Sequence, residues 1–308
     1  MRDPRDGYSN WTSFVEDLMQ EKRFVTPILQ INTIDGQSWD EFSDSICKQF
    51  DVFARKCQTI GYRASAKRDQ SFDADLIALQ DRIGNFTSRG GTFRFFLDYD
   101  YIRPGTGELH AYEASKILDV IHELIPDASP VLVATSFPSS VTDVAGENSG
   151  EFAEEEVKFH EVASRLIHNK FANVIFSDYG SINPIRNDGI VMANGWRPRI
   201  DYPFKGDRIF YYREKRKSIG KGKGKEYLTT YSQHYRSVAS SIVSDERFKH
   251  DIASSDLSSW GVSQIRMASS GGVPSSSPSF WISVRMNIHI QQQLRRLGHY
   301  ASPLSTFD

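Results

Sequence analysis

Cysteine is scarce in this 308-residue chain, which contains two, Cys47 and Cys57. They stand ten residues apart in a run with helical periodicity, where a rise of 1.5 Å per residue would separate them by about 15 Å along the axis. That separation is too large for a disulfide. The pattern indicates a protein of a reducing compartment.

Long apolar runs and a strong net charge are also missing. No stretch approaches the roughly 18 consecutive apolar residues of a membrane span. The first residues, MRDPRDGYSNW, contain nothing like the apolar part of a secretory signal. We therefore expect a cytoplasmic protein without a membrane association. The formal net charge is -2, so binding to nucleic acid would need a local basic patch.

Motifs of familiar chemistries are absent as well. No G-x-G-x-x-G follows the first predicted strand, and the chain has no H-x-H, H-E-x-x-H or C-x-x-C. Ser136 lies in Thr-Ser-Phe-Pro, which differs from the Gly-x-Ser-x-Gly turn that exposes a nucleophilic serine. The sequence thus leaves the cofactor, the metal and the reaction unknown, and whether the protein is an enzyme stays open.

An alternation of strands and helices is what the first 180 residues do contain. Apolar residues recur at helical spacing or in short unbroken runs. Parallel strands with helical crossovers are expected from this order. The predicted helices cover residues 10–22, 38–57, 73–86 and 111–124, with another ending near 168, and the predicted strands cover 24–31, 62–66, 92–97, 130–135 and 173–177.

The pattern changes after Asp178. Aromatic and β-branched residues at 208–213 and 227–231 flank a Gly/Lys-rich turn, which predicts a β-hairpin. Residues 142–156 are predicted to form an acidic connecting segment that leads into the helix ending near residue 168. Helices are predicted at about 232–246, 259–269 and 279–297, with a Ser/Gly/Pro loop at 269–279.

One α/β domain over residues 1–308 is the expected organisation, with strand–helix repeats at 1–180, the hairpin region at 181–231 and C-terminal helices at 232–308. Five strand–helix units are fewer than the eight of a closed barrel. We therefore predict an incomplete or elaborated TIM-barrel-like domain. An open doubly wound sheet is the alternative.

Polar residues follow several predicted strands, at the edge where parallel α/β proteins bind ligands. If Asp98 and Asp178 share one crevice, they could bind a divalent cation or act as an acid and a base, with Arg63 or Lys67 neutralising a phosphate. This hypothesis is a phosphoester-directed hydrolase or nuclease. The plainer interpretation is that each aspartate caps a helix or orients a loop.

A basic segment is the strongest electrostatic feature, because residues 205–225 hold nine Lys or Arg against two acidic residues. With aromatic residues interleaved, it could bind the phosphates and stack the bases of a nucleic acid. A solvated hairpin whose lysines prevent edge pairing is the alternative. The candidate residues are Lys215, Arg216, Lys217, Lys221, Lys223, Lys225, Tyr211 and Tyr212.

Short motifs are spread over about residues 24–297. They are Val25-Thr-Pro-Ile, Thr135-Ser-Phe-Pro, Ser177-Asp-Tyr-Gly180, Ile200-Asp-Tyr202 and those of the closing helix. Together they resemble the beta family, named after the beta protein of satellite bacteriophages. Family members resemble Trp-Arg followed by Asn-His-His in that helix, whereas here one histidine stands alone. The residues of these motifs singled out as a site are Tyr179, Gly180, Tyr202, Trp260, Gly261, Trp281, Arg285, Asn287 and His289.

The resemblance implies a protein encoded in prophages or mobile islands, beside a toxic or antiphage partner. We therefore expect a component of an antiphage defence or toxin-control system, acting as a binding or regulatory module on a protein encoded nearby. The phosphoester-directed enzyme and a nucleic-acid-binding subunit that uses residues 205–225 are the alternatives.

Overall fold

The strand–helix alternation produces a parallel sheet, and the later residues produce a separate antiparallel sheet with its own helices. The computed structural model describes residues 6–21, 25–32, 35–68, 71–185, 196–216, 218–219, 226–254 and 259–298. The chain divides into two compact units. The first unit comprises residues 1–134 and 156–178, and the second comprises 135–155 and 179–308.

The elements follow the chain in an order close to the predicted one up to β3. They are α1 (Ser9–Gln20), α2 (Trp39–Lys56), β1 (Thr59–Ser65), α3 (Phe72–Thr87), β2 (Thr92–Tyr101), α4 (Gly107–Leu124), β3 (Ser129–Thr135), β4 (Ser149–Ala153), α5 (Glu155–Leu166), β5 (Ile175–Asp178), β6 (Arg199–Phe204), β7 (Arg208–Arg213), β8 (Ser218–Ile219), β9 (Glu226–Tyr227), α6 (Tyr231–Ser244), α7 (Glu246–Ser254), α8 (Trp260–Ser269) and α9 (Pro278–Arg296).

The sheet of the first unit has the strand order β1-β2-β3-β5. β1 pairs with β2 and β3 pairs with β5, both in parallel. The strand predicted at 24–31 is reduced to an isolated parallel bridge between Ile28 and Gly61. Pro27 explains this in part, because it has no N–H to donate to a ladder. A Cβ on Gly61 would lie 2.5 Å from Ile28 Cδ1, so the close approach requires glycine.

The helix predicted from Ser38 to about Cys57 is confirmed. Its start is a capping box, in which the Glu41 amide donates to Ser38 Oγ and the Ser38 amide donates to the Glu41 carboxylate. Its apolar stripe is buried against the sheet through Phe42, Ile46 and Phe50. A local cap and a 3.6-residue period together define this element.

The two faces of the parallel sheet differ in chemistry. Alternate residues of the strands, such as Tyr62, Phe95 and Leu132, belong to one buried apolar cluster with side chains of α2 to α5. The intervening residues point to the opposite face, because successive side chains of a strand alternate. Arg63 and Asp98 are among those intervening residues, so the polar groups lie on the face away from this cluster.

The second unit is built on the antiparallel order β4-β7-β6. β6 and β7 form a hairpin in which Phe204 pairs with Arg208. Gly206 (φ 99) and Asp207 (φ 56) form the tight turn with positive φ angles. Helices α6, α8 and α9 cover an apolar cluster that includes Ile200 and Trp281.

Two predictions for this region were wrong. Residues 208–213 pair with β6 and β4 instead of residues 227–231, and Tyr231 already begins α6. The two-residue strands β8 and β9 pair on either side of the Gly/Lys-rich segment, whose residues 220–225 lie outside the described residues. The acidic connection at 142–156 contains β4, which pairs with β7. β4 and β7 are far apart in sequence, and local patterns do not encode such a pairing. β6 and β7 are close in sequence, and their hairpin was missed because the Gly/Lys-rich segment was taken as the turn instead.

The described strands therefore establish a mixed α/β protein with one parallel and one antiparallel sheet, without showing a closed barrel. The single-domain organisation stays a prediction. Over the part of the chain that the structure describes, no helix is both long and apolar enough to cross a membrane.

Candidate functional site

A cleft of about 940 Å³ opens in the first unit at the carboxyl ends of β1 and β2. Its lining combines cationic, acidic and aromatic side chains. These include Trp39, Arg63, Arg68, Asp75 and Asp98. Parallel α/β proteins bind ligands at this edge of the sheet, so the cleft is the first candidate site.

Arg63 is held in the cleft by Asp98. The Arg63 Nε donates to Asp98 Oδ2 at 2.8 Å, and a second guanidinium nitrogen also contacts that oxygen. Asp98 is buried, with 2% of its side chain exposed, whereas 47% of the Arg63 side chain is exposed. The backbone amide of Asp100 donates to the other carboxylate oxygen at 2.8 Å. The aspartate is thus a fixed anchor for Arg63, which lines the cleft.

Arg68 supplies a second cation beside the first. Its Nη2 lies 2.9 Å from Asp100 Oδ2, and its side chain is largely exposed. Asp100 has a left-handed backbone with φ 54, a conformation that aspartate tolerates better than most residues. Lys67, the other predicted phosphate ligand, donates to the Tyr101 carbonyl at 2.8 Å. The two arginines are therefore the main cations of the cleft.

Trp39 provides an aromatic surface in the same cleft. Its side chain is 47% exposed although it is large and apolar, and its ring centroid lies 5.6 Å from that of Phe42. This residue was not among the site residues predicted from the sequence. The signal that could have found it is its position just after the Ser38 cap, where a tryptophan of the first turn is exposed at the strand-end edge.

Asp98 and Asp178 are not brought to one face of the sheet. Asp178 pairs in register with Ala134, which belongs to the helix-covered apolar cluster. Phe176, two residues earlier, makes an edge contact with His160 of α5. Asp98 occupies the alternate position of β2 and points to the opposite face. The two strands are also separated by β3, so this arrangement does not support an acid–base pair.

In the second unit, the family-motif residue Arg285 is buried on α9. Its Nη1 lies 2.7 Å from Asp201 Oδ2, and the two side chains are 3% and 5% exposed. Its Nε donates to Ser181 Oγ at 3.1 Å. The guanidinium carbon lies 3.8 Å from the centre of the Phe137 ring. Burial lowers the pKa of Arg285, and the charge of Asp201 opposes that shift.

His289 lies one turn further along α9. Its Nδ1 is 2.6 Å from Glu154 Oε1, and both side chains are fully buried. Gly180, with φ 62, lies close to the end of Met286. The backbone carbonyl of Tyr179 accepts from the Ile182 amide. These residues organise the interior of the second unit.

The remaining family-motif residues also have packing roles. Asn287 Oδ1 accepts from the Gly261 amide at 2.9 Å. The Trp281 indole N–H donates to the Ser275 carbonyl, and its ring stacks on Tyr235. The Tyr202 hydroxyl donates to Asp251 at 2.8 Å, and burial raises the pKa of that tyrosine. Trp260 is partly exposed and contacts Phe280 edge to face.

The basic segment is described only in part. Lys217 and the lysines at 221, 223 and 225 lie outside the described residues. Lys215 is exposed, whereas the Arg216 guanidinium stacks on Tyr227 at 3.7 Å. Tyr211 is fully buried, and the Tyr212 hydroxyl donates to Asp245. Neither tyrosine is presented for stacking on bases.

Within the described ranges, no group of three or more His, Cys, Asp or Glu side chains could hold a metal ion. Both cysteines are buried and unpaired with each other. Burial raises the pKa of each thiol, which disfavours the reactive thiolate. The polar groups available for a function are therefore those of the arginine-containing cleft in the first unit and the polar side chains described above in the second unit.

The fold and these sites define a mixed α/β protein with a cationic cleft beside its parallel sheet. The model of the beta protein family matches residues 5–295. Protein beta of Enterobacteria phage P4 is 30% identical over 204 residues, which are 65% of this chain and 49% of that protein. The chain therefore belongs to the beta protein family, and the resemblance found in its motifs is confirmed. It spans about half the length of this curated relative. No solved structure matches the chain.

Proposed function

We propose that this beta-family protein is a phage-associated binding module whose cleft in the first unit takes a nucleotide-like anion. The observation that carries the proposal is the half-exposed side chain of Arg63, held by the buried Asp98 in a cleft that also contains Trp39. A planar ring would stack on the tryptophan, and a phosphate would accept from Arg63 and Arg68. The ligand class follows from this combination of cations and an aromatic surface.

Preorganisation makes Arg63 suited to this task. A guanidinium offers several N–H donors in a rigid plane, and one edge of Arg63 is taken by Asp98. A guanidinium is also able to form two parallel hydrogen bonds to phosphate oxygens. Because the side chain is already oriented, less conformational entropy is lost when the ligand binds.

The cleft is best tested by equilibrium titration of the purified protein with adenosine and guanosine mono-, di- and triphosphates. We expect saturable binding that Arg63→Ala and Trp39→Ala each weaken at least about tenfold, as the loss of a charge-assisted hydrogen bond or a stacking surface predicts. Arg82→Ala is the matched control, because Arg82 is similarly exposed and paired with Asp51 outside the cleft.

Equal affinity of the Arg63→Ala and Arg82→Ala proteins would contradict this assignment. If inorganic phosphate alone bound with the same affinity as a nucleotide, the arginines would remain assigned to the site, but Trp39 would no longer be assigned to it. Melting temperatures of all variants establish that any loss of binding is not a loss of folding.

The similarity to a phage protein supports an association with phages. We infer a component of an antiphage defence or toxin-control system, working in the cytoplasm on a protein partner encoded nearby. Its parallel strands, in sequential order, are consistent with an incomplete TIM-barrel-like domain. In host cells challenged with phage, wild-type protein and Arg82→Ala should lower plaque numbers equally, and Arg63→Ala should not.

A partner protein is tested separately from the ligand. Tagged protein is recovered from phage-infected cells, and the bound proteins are identified for wild type and Arg63→Ala. A partner retained by both variants supports a regulatory module. Absence of any partner, with phage protection lost only in Arg63→Ala, would favour an enzyme acting on a phosphoester.

Binding to nucleic acid through the basic segment is the weaker candidate, because Tyr211 and Tyr212 are held in the sheet. It still predicts that neutralising the lysines at 221, 223 and 225 weakens binding and flattens its dependence on salt. Unchanged affinity for single-stranded DNA and RNA would exclude it.

A further inference from the structure

A second cleft, of about 630 Å³, lies within the second unit between the end of β7 and helix α6. Its lining includes Arg213, Glu214, Lys215, Thr229, His234 and Ser237. Sequence analysis singled out only Lys215 among these for function. The cleft has no residue in common with the arginine cleft of the first unit, so the inference drawn from it is independent of the proposed function.

Three of these side chains form a chain of short contacts. His234 Nε2 lies 2.5 Å from Thr229 Oγ1, and His234 Nδ1 lies 2.7 Å from Glu214 Oε2. The other carboxylate oxygen accepts from Ser237 Oγ at 2.5 Å. The network assigns the tautomer, because a carboxylate can only accept and Nδ1 must carry the proton. Nε2 is then free to accept the proton of the threonine hydroxyl.

We propose that Thr229 is a nucleophile, with His234 as its general base and Glu214 as the group that orients and stabilises the imidazolium. A hydroxyl, an imidazole and a carboxylate in this order are the recurring arrangement of acyl-transfer sites on unrelated folds. Glu214 is held at its backbone by a hydrogen bond to Pro198 and at its side chain by Ser237. His234 is buried on α6, so its ring is positioned by packing.

The surroundings indicate an anionic substrate. Arg213 and Lys215 line the cleft, and the buried Arg213 Nε has no hydrogen-bond partner among the described residues. Helix α6 begins at Tyr231, two residues after Thr229, and its N-terminal amides favour negative charge. These groups match an ester of an acid that carries a second carboxylate, and they would stabilise the oxyanion that forms during attack.

The reaction balances with water as the co-substrate. Thr229 Oγ attacks the ester carbonyl carbon, and its proton passes to His234 Nε2. The bond from that carbon to the alcohol oxygen breaks, and the alcohol leaves with the proton. Water, deprotonated by His234, then attacks the acyl-threonine, releasing the acid and restoring the hydroxyl.

The test uses the full chain and mono-4-nitrophenyl succinate, an activated ester with a free carboxylate. We expect release of nitrophenol and, by intact-mass and peptide analysis, a succinyl group on Thr229. Thr229→Val should abolish both signals, and Thr229→Ser should retain them. Glu214→Gln should lower the rate by about 10²-fold or more, because the tautomer is no longer enforced.

The matched control is Thr142→Val, an exposed threonine of the same unit whose hydroxyl contacts Ser140. It should leave hydrolysis unchanged. A merely structural role of the three side chains would change the melting temperature without an acyl adduct. Hydrolysis that persists in a folded Thr229→Val protein, or a folded wild type with neither hydrolysis nor adduct, would overturn the proposal. Equal rates with neutral 4-nitrophenyl acetate would overturn the preference for an anionic acid.

Discussion

Each unit contains an arginine held by a buried aspartate, Arg63 by Asp98 in the first and Arg285 by Asp201 in the second. Both pairs join an arginine to a buried aspartate, but the Arg63 side chain is 47% exposed and the Arg285 side chain is 3% exposed. Water can solvate Arg63 if its aspartate is lost, whereas it cannot reach Arg285. Exposure, more than the ion pair itself, therefore separates a side chain presented to a ligand from one that organises a core.

The largest expected effect is that of Asp201→Ala, which leaves the Arg285 charge buried without its counter-ion. We expect a loss of about 3–5 kcal/mol in the free energy of unfolding, measured in urea. The double variant Asp201→Leu/Arg285→Met removes both charges and should be more stable than the single variant. If the double variant is the less stable one, the pair itself stabilises the fold, and the comparison between the units fails.

Substitution of one helical glycine in each unit allows the packing of the two units to be compared. A Cβ on Gly261 in α8 would lie 2.6 Å from the Val284 carbonyl oxygen of α9, so Gly261→Ala should cost about 3 kcal/mol by overpacking. Gly84 of α3 has no atom within 4 Å of its Cβ position. Gly84→Ala should therefore stabilise the protein by about 0.5–1 kcal/mol. If both variants shifted the melting temperature in the same direction, the predicted contrast between Gly261 and Gly84 would be wrong.

Asp245 and Arg247 form an intermediate pair, with the arginine side chain 33% exposed. Hydrogen bonds from Arg247 lower the pKa of Asp245 to about 2. A carboxylate whose pKa falls on folding stabilises the protein above its unfolded pKa near 3.8. That contribution, on the order of 2 kcal/mol, is lost as pH falls from about 4 to 2.

Asp245→Asn should therefore flatten the dependence of stability on pH in this window while leaving the slope above pH 5 unchanged. Urea unfolding at a series of pH values measures this dependence of stability on pH. An identical acid profile for wild type and variant would mean that Arg247 does not stabilise the ionised carboxylate.

Among the changes to ion pairs, the smallest expected effect on stability is that of Asp98→Ala. Because Arg63 is already half exposed, the free energy of unfolding should fall by about 1 kcal/mol, which is well below the loss expected for Asp201→Ala. Affinity for nucleotides should fall more clearly, since the guanidinium loses its anchor. A loss of stability as large as that of Asp201→Ala would show that exposure is not what distinguishes the two pairs.

The first 135 residues could be predicted well because their signals are local. The cap at Ser38, the stripe of α2 and the apolar runs of β2 and β3 are encoded within single segments. Thr229, His234 and Glu214 were missed because no spacing identifies three polar residues that lie on a loop, a helix and a strand end. Trp39 was missed because its exposure is a tertiary property.

By itself, the sequence determined most of the helices, the parallel strands β1, β2, β3 and β5, the absence of a membrane-spanning run, and membership of the beta family through short motifs. Periodicity and capping act over a few residues, and a sequence displays them directly. Only the tertiary structure decided that the segment 24–31 contributes no more than an isolated bridge, that Asp98 and Asp178 lie on opposite faces, that β7 pairs with β4, and that Arg63 is exposed while Arg285 is buried. Those outcomes depend on strand parity, non-local pairing and burial, which arise when distant segments pack together.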